Sequence, residues 1–130
     1  MSDCIQGHGY IDEDGDTLLF WKVETLWRLS ETLSVQHLAL DEIYWADDNC
    51  AYLEEDDTYL NFAKHVKRVL DADLSFPVIL SPKGIVMDGM HRLVKASIFG
   101  VPVVKVVRFS EMPPPDCAEP RPAKAAEDRA

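Results

Sequence analysis

Apolar positions fall into two rhythms along this chain. Leu19, Val23, Leu26, Trp27, Ser30 and Leu33 recur at spacings of three and four, which predicts an amphipathic helix from Leu18, with Thr17 or Asp16 as its N-cap. "SVQHLAL" alternates apolar and polar residues and predicts a short strand over 35–38. "TYLNFAKHVKRVLDAD" returns to the helical period and places Leu60, Ala63, Val66, Val69 and Leu70 on one side. "FPVIL" is a wholly apolar run of the kind a buried strand shows. "SPKG" has turn chemistry, and "IVMDG" is a second short strand, so 78–80 and 85–87 form an expected hairpin. A third helix is expected over 90–99, stopped by Gly100. "VPVVKVVRF", rich in β-branched residues, closes the pattern as a last strand.

The order helix, strand, helix, hairpin, helix, strand predicts a small α+β (mixed α/β) domain, a short mixed sheet packed by helices. The expected division is a flexible acidic lead at 1–16, the folded domain at 17–110 and a tail at 111–130. The tail, "EMPPPDCAEPRPAKAAEDRA", holds five prolines and few core-forming residues, so it is expected to be disordered. The 130 residues, 47% of them hydrophobic, suit a single domain. No apolar run is long enough to span a membrane, and the polar, acidic start does not resemble a secretory signal. Cys4, Cys50 and Cys117 are odd in number, far apart and in no metal-binding spacing. Free thiols and a cytoplasmic location are therefore expected.

Charge changes the picture locally. The net charge of −10 argues against nucleic acid as a partner. Residues 41–57 carry eight acids and no base, whereas 58–110 carry eight bases against Asp71, Asp73 and Asp88. A basic surface inside an acidic protein suits a small anionic ligand, unless neighbouring acidic loops neutralise it.

Candidate chemistry concentrates in "DGMHRLVKA". At about 100° per residue, Asp88, His91, Arg92 and Lys95 fall in one arc, with Met90, Leu93, Val94 and Ser97 opposite. Gly89 permits close approach to the backbone. A helix start presents unpaired N–H groups and partial positive charge, and Arg92 adds a planar fork for phosphate or carboxylate oxygens. The same residues also fit a structural assignment: Asp88 as an N-cap or as the i,i+4 partner of Arg92, and His91 as an ordinary exposed histidine. His65 and Arg68 share a face of the second helix. They could line the same pocket, or form an exposed basic face with Arg68 paired to Asp71. Asp73 reads as a cap or turn residue, with magnesium binding by it or by Asp88 as the alternative. Trp21, Trp27 and Trp45 are expected to pack in the core or a lid rather than to stack on bases. His8 and His37 are expected to be solvated.

The stretch "PVILSPKGIVMDGMHRLVKASIFGVPVVKV" resembles the N-terminal domain of ParB and its relatives, the ParB/sulfiredoxin superfamily, over roughly residues 34–109. More narrowly, it is similar to small stand-alone bacterial proteins labelled ParB-like. The resemblance implies a nucleotide phosphate at the helix start. Gly89 and the backbone after it, from Met90 on, would cradle the phosphate, Arg92 would clamp it and His91 would assist; beside the resemblance, Lys95 or Arg68 is expected as an auxiliary charge, with His65 lining the same pocket. It also implies ATP, ADP or CTP as ligand, with Mg2+ as a candidate companion. Met90 stands where sulfiredoxins carry a catalytic Cys, and a thioether cannot be that nucleophile. Met90 and His91 replace the Glu and first Arg of the ParB box, so CTP hydrolysis is not implied. Asp88, Gly89 and Arg92 match the Asp-Gly-x-x-Arg box of the superfamily's free serine kinase. That kinase uses a Glu base on a preceding segment, for which Glu42, beside Asp41, is the positional candidate. If the chain is an enzyme, the implied reaction is phosphoryl transfer or phosphate hydrolysis, with Glu42 or His91 as proton acceptor. Two rival readings remain at this point. One is a non-catalytic module binding a protein partner through its acidic loop. The other, set lower by the acidic total, is a DNA-associated or nuclease protein.

Overall fold

The computed structural model describes residues 7–11, 15–46 and 58–120. Two sheets and three helices are built from them. The larger sheet has the strand order β3-β6-β4-β5, from Gln36–Ala39 (β3), Val103–Arg108 (β6), Val78–Leu80 (β4) and Val86–Asp88 (β5). β4 runs parallel to β6, and the β3–β6 and β4–β5 pairs are antiparallel. The smaller sheet has the order β1-β2-β7, from Gly7–Ile11 (β1), Thr17–Lys22 (β2) and Cys117–Pro120 (β7), and is wholly antiparallel. Helices α1 (Val23–Ser30), α2 (Tyr59–Asp71) and α3 (Met90–Ile98) complete the fold. The α+β class expected from the sequence is the class observed.

The core follows from strand alternation. Val78 and Leu80 of β4, with Val104 and Val106 of β6, point to one face and pack with Leu93 and Ala96 of α3. Ile79, Met87 and Val107 point to the other face and pack with Trp21, Leu26 and Phe109. β4 is buried on both faces, which is why its sequence is uniformly apolar.

Several expectations fail here. Residues 17–22 form a strand, and the helix expected from Leu18 begins only at Val23. The run Leu18, Leu19, Phe20, Trp21 sits between two partner strands, and ladder pairing overrides a helical period that the apolar spacing mimicked. Within the expected lead, residues 7–11 form β1. His8, expected in solvent, lies half-buried against the Trp21 ring at 6.0 Å, and burial lowers its pKa. Lead residues 1–6 and 12–14 lie outside the described residues. The start of the expected disordered tail is also ordered. Pro113 is buried, its carbonyl accepts the Trp21 indole N–H at 3.0 Å, and Met112 packs on the second core. Consecutive prolines lose little conformational entropy on ordering, so few contacts suffice to hold them. Asp116 then accepts from the Lys22 backbone N–H at 2.7 Å and the Thr25 hydroxyl at 3.0 Å. It thereby closes the N-terminus of α1 from 94 residues away. Residues 121–130 and most of the acidic loop, 47–57, lie outside the described residues.

Helix α2 shows the expected amphipathic period but not the expected burial. Tyr59, Leu60, Phe62, Val66 and Leu70 are exposed, and only His65 and Val69 are half-buried. Ser97 of α3 is exposed rather than core-facing, because the buried stripe of that helix runs through Leu93 and Ala96. Among the described residues no helix is long and apolar enough to cross a membrane.

Candidate functional site at the start of the third helix

Strand β5 ends at Asp88 and α3 begins at Met90, so one residue must turn the chain. Gly89 does so with φ 113° and ψ 16°. Its carbonyl accepts the N–H groups of Arg92 (3.0 Å) and Leu93 (3.2 Å), starting the helical ladder. The turn sits hard against the sheet. A Cβ on Gly89 would lie 3.1 Å from Val78 Cα and 3.2 Å from Arg92 Nη1. Met90, expected to contribute to a phosphate cradle, packs its side chain on the core.

Arg92 does not present a free fork. Nη1 donates to the Pro77 carbonyl at 3.2 Å and lies 3.6 Å from Asp88 Oδ2. The guanidinium carbon stands 5.9 Å from the centre of the half-exposed Phe76 ring. Asp88 Oδ2 also accepts the Trp27 indole N–H at 3.0 Å. Trp27, Asp88, Arg92 and Pro77 thus form a chain of polar contacts that ties α1, the end of β5, α3 and the start of β4 together. The i,i+4 pairing of Asp88 with Arg92, one of the two readings open in the sequence, is the one present.

Lys95 is committed as well. Nζ donates to the carbonyls of Leu70 (2.8 Å) and Ala72 (2.7 Å), which satisfies the C-terminal carbonyls of α2 and docks that helix on α3. This docking brings His65 and Arg68 of α2 toward His91 in the first turn of α3. Arg68 Nη1 lies 3.2 Å from His65 Nδ1, and a guanidinium can only donate. His65 Nδ1 is therefore the acceptor, which places the ring proton on Nε2. The pKa of His91 is lowered, first by burial and then by the charges of Arg68, His65 and Arg92, with Asp88 opposing. Arg68 has no bond to Asp71, which pairs instead with Lys67 at 2.7 Å. His65 and Arg68 are thus in contact with each other, on the helix that Lys95 docks against the one carrying His91.

The acids go elsewhere. Glu42 lies in a short 3-10 turn after β3, at the edge of the sheet opposite β5, about three strand spacings or roughly 14 Å across. Its carboxylate accepts the Ala39 N–H at 2.9 Å. The fold does not bring Glu42 to the histidines. Asp73 accepts from both the backbone N–H (2.9 Å) and the hydroxyl (2.7 Å) of Ser75, and these bonds lower its pKa, helped by Lys95 and Arg92. It is a turn residue. Among the described residues no group of three metal-ligating side chains is placed to hold a cation. Asp88 and Asp73 are both engaged in other contacts.

Trp27 and Phe76 were not singled out as site residues by the sequence. Trp27 falls in the apolar stripe of the first helix and was expected in the core or a lid, yet it is half-exposed, and its partner Asp88 becomes visible only once the elements are placed.

No family model and no curated protein matches this chain. Among solved structures, the chain is similar to a Pnob8-like ParB-N domain, with a TM-score of 0.41 and 14% identity. The match covers 75% of this chain and 34% of that one, so this chain spans about a third of the length of the protein it resembles.

Proposed function

We propose that this protein binds a small phosphate-bearing ligand, a nucleotide or similar, at the junction of α2 and α3, and that it acts in the cytoplasm. The observation that carries the reading is the convergence of His65, Arg68 and His91 beside the first turn of α3. Imidazole and guanidinium N–H groups are the donors that phosphate oxygens take. Arg68 is exposed, and its planar fork carries five donors, of which Nη1 is directed at His65. The helix start adds its partial positive charge. In this reading Arg68 takes the clamp role that the sequence suggested for Arg92, while Arg92 and Lys95 hold the helices in register. Any phosphoryl transfer or hydrolysis would use His91 as proton acceptor, because its lowered pKa keeps it neutral near pH 7.

Isothermal titration with ATP, ADP and CTP, each with and without Mg2+, tests the proposal. Saturable heat with at least one nucleotide, lost in Arg68→Ala, supports it. Absence of heat at millimolar ligand refutes it. The protein-interaction reading is favoured by a different observation, the apolar residues Tyr59, Phe62, Val66 and Leu70 exposed along α2. Under that reading Arg68→Ala leaves function intact, whereas charge reversal at 54–57 abolishes partner capture.

A further inference from the structure

Of the three α-helices, α2 is the one without a buried residue. A helix of its 13 residues is marginal in water by itself, because helices this short draw most of their stability from an apolar face packed on something. Its ends are nevertheless fixed. Thr58 Oγ1 accepts the Asn61 N–H at 3.1 Å, and Lys95 holds the carbonyls of Leu70 and Ala72. Between those ends the apolar stripe is open. Tyr59 is 93% exposed, and Phe62, Val66 and Leu70 are 39–49% exposed. At about 100° per residue these four fall in an arc of about 80°. They recur at i, i+3, i+7 and i+11, the anchor spacing by which an amphipathic helix meets a partner. A contiguous apolar stripe left in water, on a helix already set in place, marks an interaction surface.

Charge decides what covers it. α2 carries Lys64, Lys67 and Arg68 against Asp71 alone, in a chain whose net charge is −10. Around the helix, Lys67 and then Lys64 follow the stripe on the edge away from the half-buried His65 and Val69. A second copy of α2 laid on the first would bring the same lysines together, and like charges at an interface oppose it. An anionic lipid surface would attract the helix but repel the rest of so acidic a chain. We propose that α2 is the docking surface for an acidic amphipathic helix of another protein. Tyr59, Phe62, Val66 and Leu70 are the apolar anchors, and Lys64 and Lys67 select acidic flanks. The inference rests on the protein-interaction reading of this helix, and the phosphate site stands or falls without it.

The test uses two fluorescein-labelled synthetic helices, titrated with the full chain and followed by fluorescence anisotropy. One has leucine at spacings of three and four with glutamate on the flanks, and the other has lysine for every glutamate. The glutamate peptide is expected to bind about tenfold or more tighter than the lysine peptide, and to weaken as salt is raised. Val66→Asp should cut its affinity about tenfold or more, and Lys64→Glu with Lys67→Glu should abolish the preference between the peptides. If Val66→Asp does not fold, the double lysine variant, changed only at exposed positions, carries the test, and an unchanged preference in it overturns the inference. Equal binding of the two peptides overturns the acidic partner while leaving the apolar docking face standing. Binding of neither removes both. A dimer in sedimentation equilibrium that Val66→Asp dissociates assigns the face to a second copy and overturns the inference. Capture by phosphatidylserine vesicles that Val66→Asp abolishes overturns it in favour of a membrane.

Discussion

Among the described glycines Gly89 is the most closely packed, and replacing it by alanine probes the turn directly. Two costs add. A side chain at φ 113° occupies backbone space that L-residues avoid, at about 1–3 kcal/mol. The new methyl would also sit 3.1 Å from both Val78 Cα and Val78 Cγ2. Val78 belongs to the central, doubly covered β4, so the backbone on that side cannot retreat without disturbing the core. Crowding of this kind costs about 1–3 kcal/mol, for a sum of about 2–6 kcal/mol. At about 4 °C per kcal/mol for a chain of this length, Gly89→Ala should melt about 8–24 °C below the wild type. Gly100→Ala is the internal control. Gly100 also has a positive φ, 71°, but a Cβ there meets nothing within 4 Å. Only the backbone term remains, about 1–2 kcal/mol or about 4–8 °C. Thermal unfolding followed by circular dichroism compares the two. If both variants melt within about 2 °C of each other, the packing of the α3 start on β4 is not as described.

Arg92→Ala should destabilise the fold by about 1–3 kcal/mol in urea denaturation, because the Pro77 carbonyl loses its donor and the largely buried Asp88 its cation. Arg68→Ala should leave the midpoint nearly unchanged, and an equal effect of the two would refute the division of labour between them. Ser81→Ala should cost about 1–3 kcal/mol by the same assay, since the buried hydroxyl accepts the N–H groups of Lys83 and Ile85 across the β4–β5 turn. Asp116 has a pKa held down by the Lys22 N–H and then by Thr25, so its stabilisation is present above the ordinary carboxylate range and fades as pH falls through the folded pKa. Asp116→Asn should therefore flatten the acid limb of a stability–pH profile. His91 has a lowered pKa, so in the free protein its protonation works against the fold as pH drops below the ordinary histidine range. A bound phosphate reverses the sign: affinity should rise over that same descent, and His91→Gln should remove the pH dependence in a titration series.

The hairpin, α3 and β6 were legible in the sequence because their signals are local. A continuous apolar run marks β4, "SPKG" marks the turn, and Gly100 marks a helix stop. β2 and β7 were not, because they are decided by partners far along the chain. Trp21 reads as helix core until its bond to Pro113, 92 residues away, is known. The proline-rich stretch reads as solvated until Asp116 is seen closing α1. For α2 the period was visible but not its direction. The wheel groups Leu60, Ala63, Val66, Val69 and Leu70, yet of these only Val69 is half-buried, together with His65. At the proposed site, the sequence located the start of α3 and placed His65 and Arg68 on one face of α2, where they touch. It could not tell which bases are spent on structure, since the partners of Arg92 and Lys95 are backbone carbonyls, which every residue has.

In the proposed site the bases divide between structure and ligand. Five basic side chains, His65, Arg68, His91, Arg92 and Lys95, lie on α2 and α3, the two helices that meet at the proposed site. Lys95 is neutralised by the dipoles of the last α2 carbonyls, and Arg92 by Asp88 and Pro77. The Lys95 contacts dock α2 on α3. In the proposed site that docking sets His65 and Arg68 beside the first turn of α3, and the His91 pKa is lowered first by burial and then by the neighbouring charges. A bound phosphate, whose oxygens accept hydrogen bonds from these groups, would offset the charge part of that shift. The affinity would then depend on Lys95 without Lys95 touching the ligand. Lys95→Met should loosen α2, raise the His91 pKa toward its ordinary value in the free protein as measured by NMR titration, and weaken phosphate binding together with it. A His91 pKa that stays low in that variant would mean that burial alone sets it, and that the cluster is not an electrostatic unit.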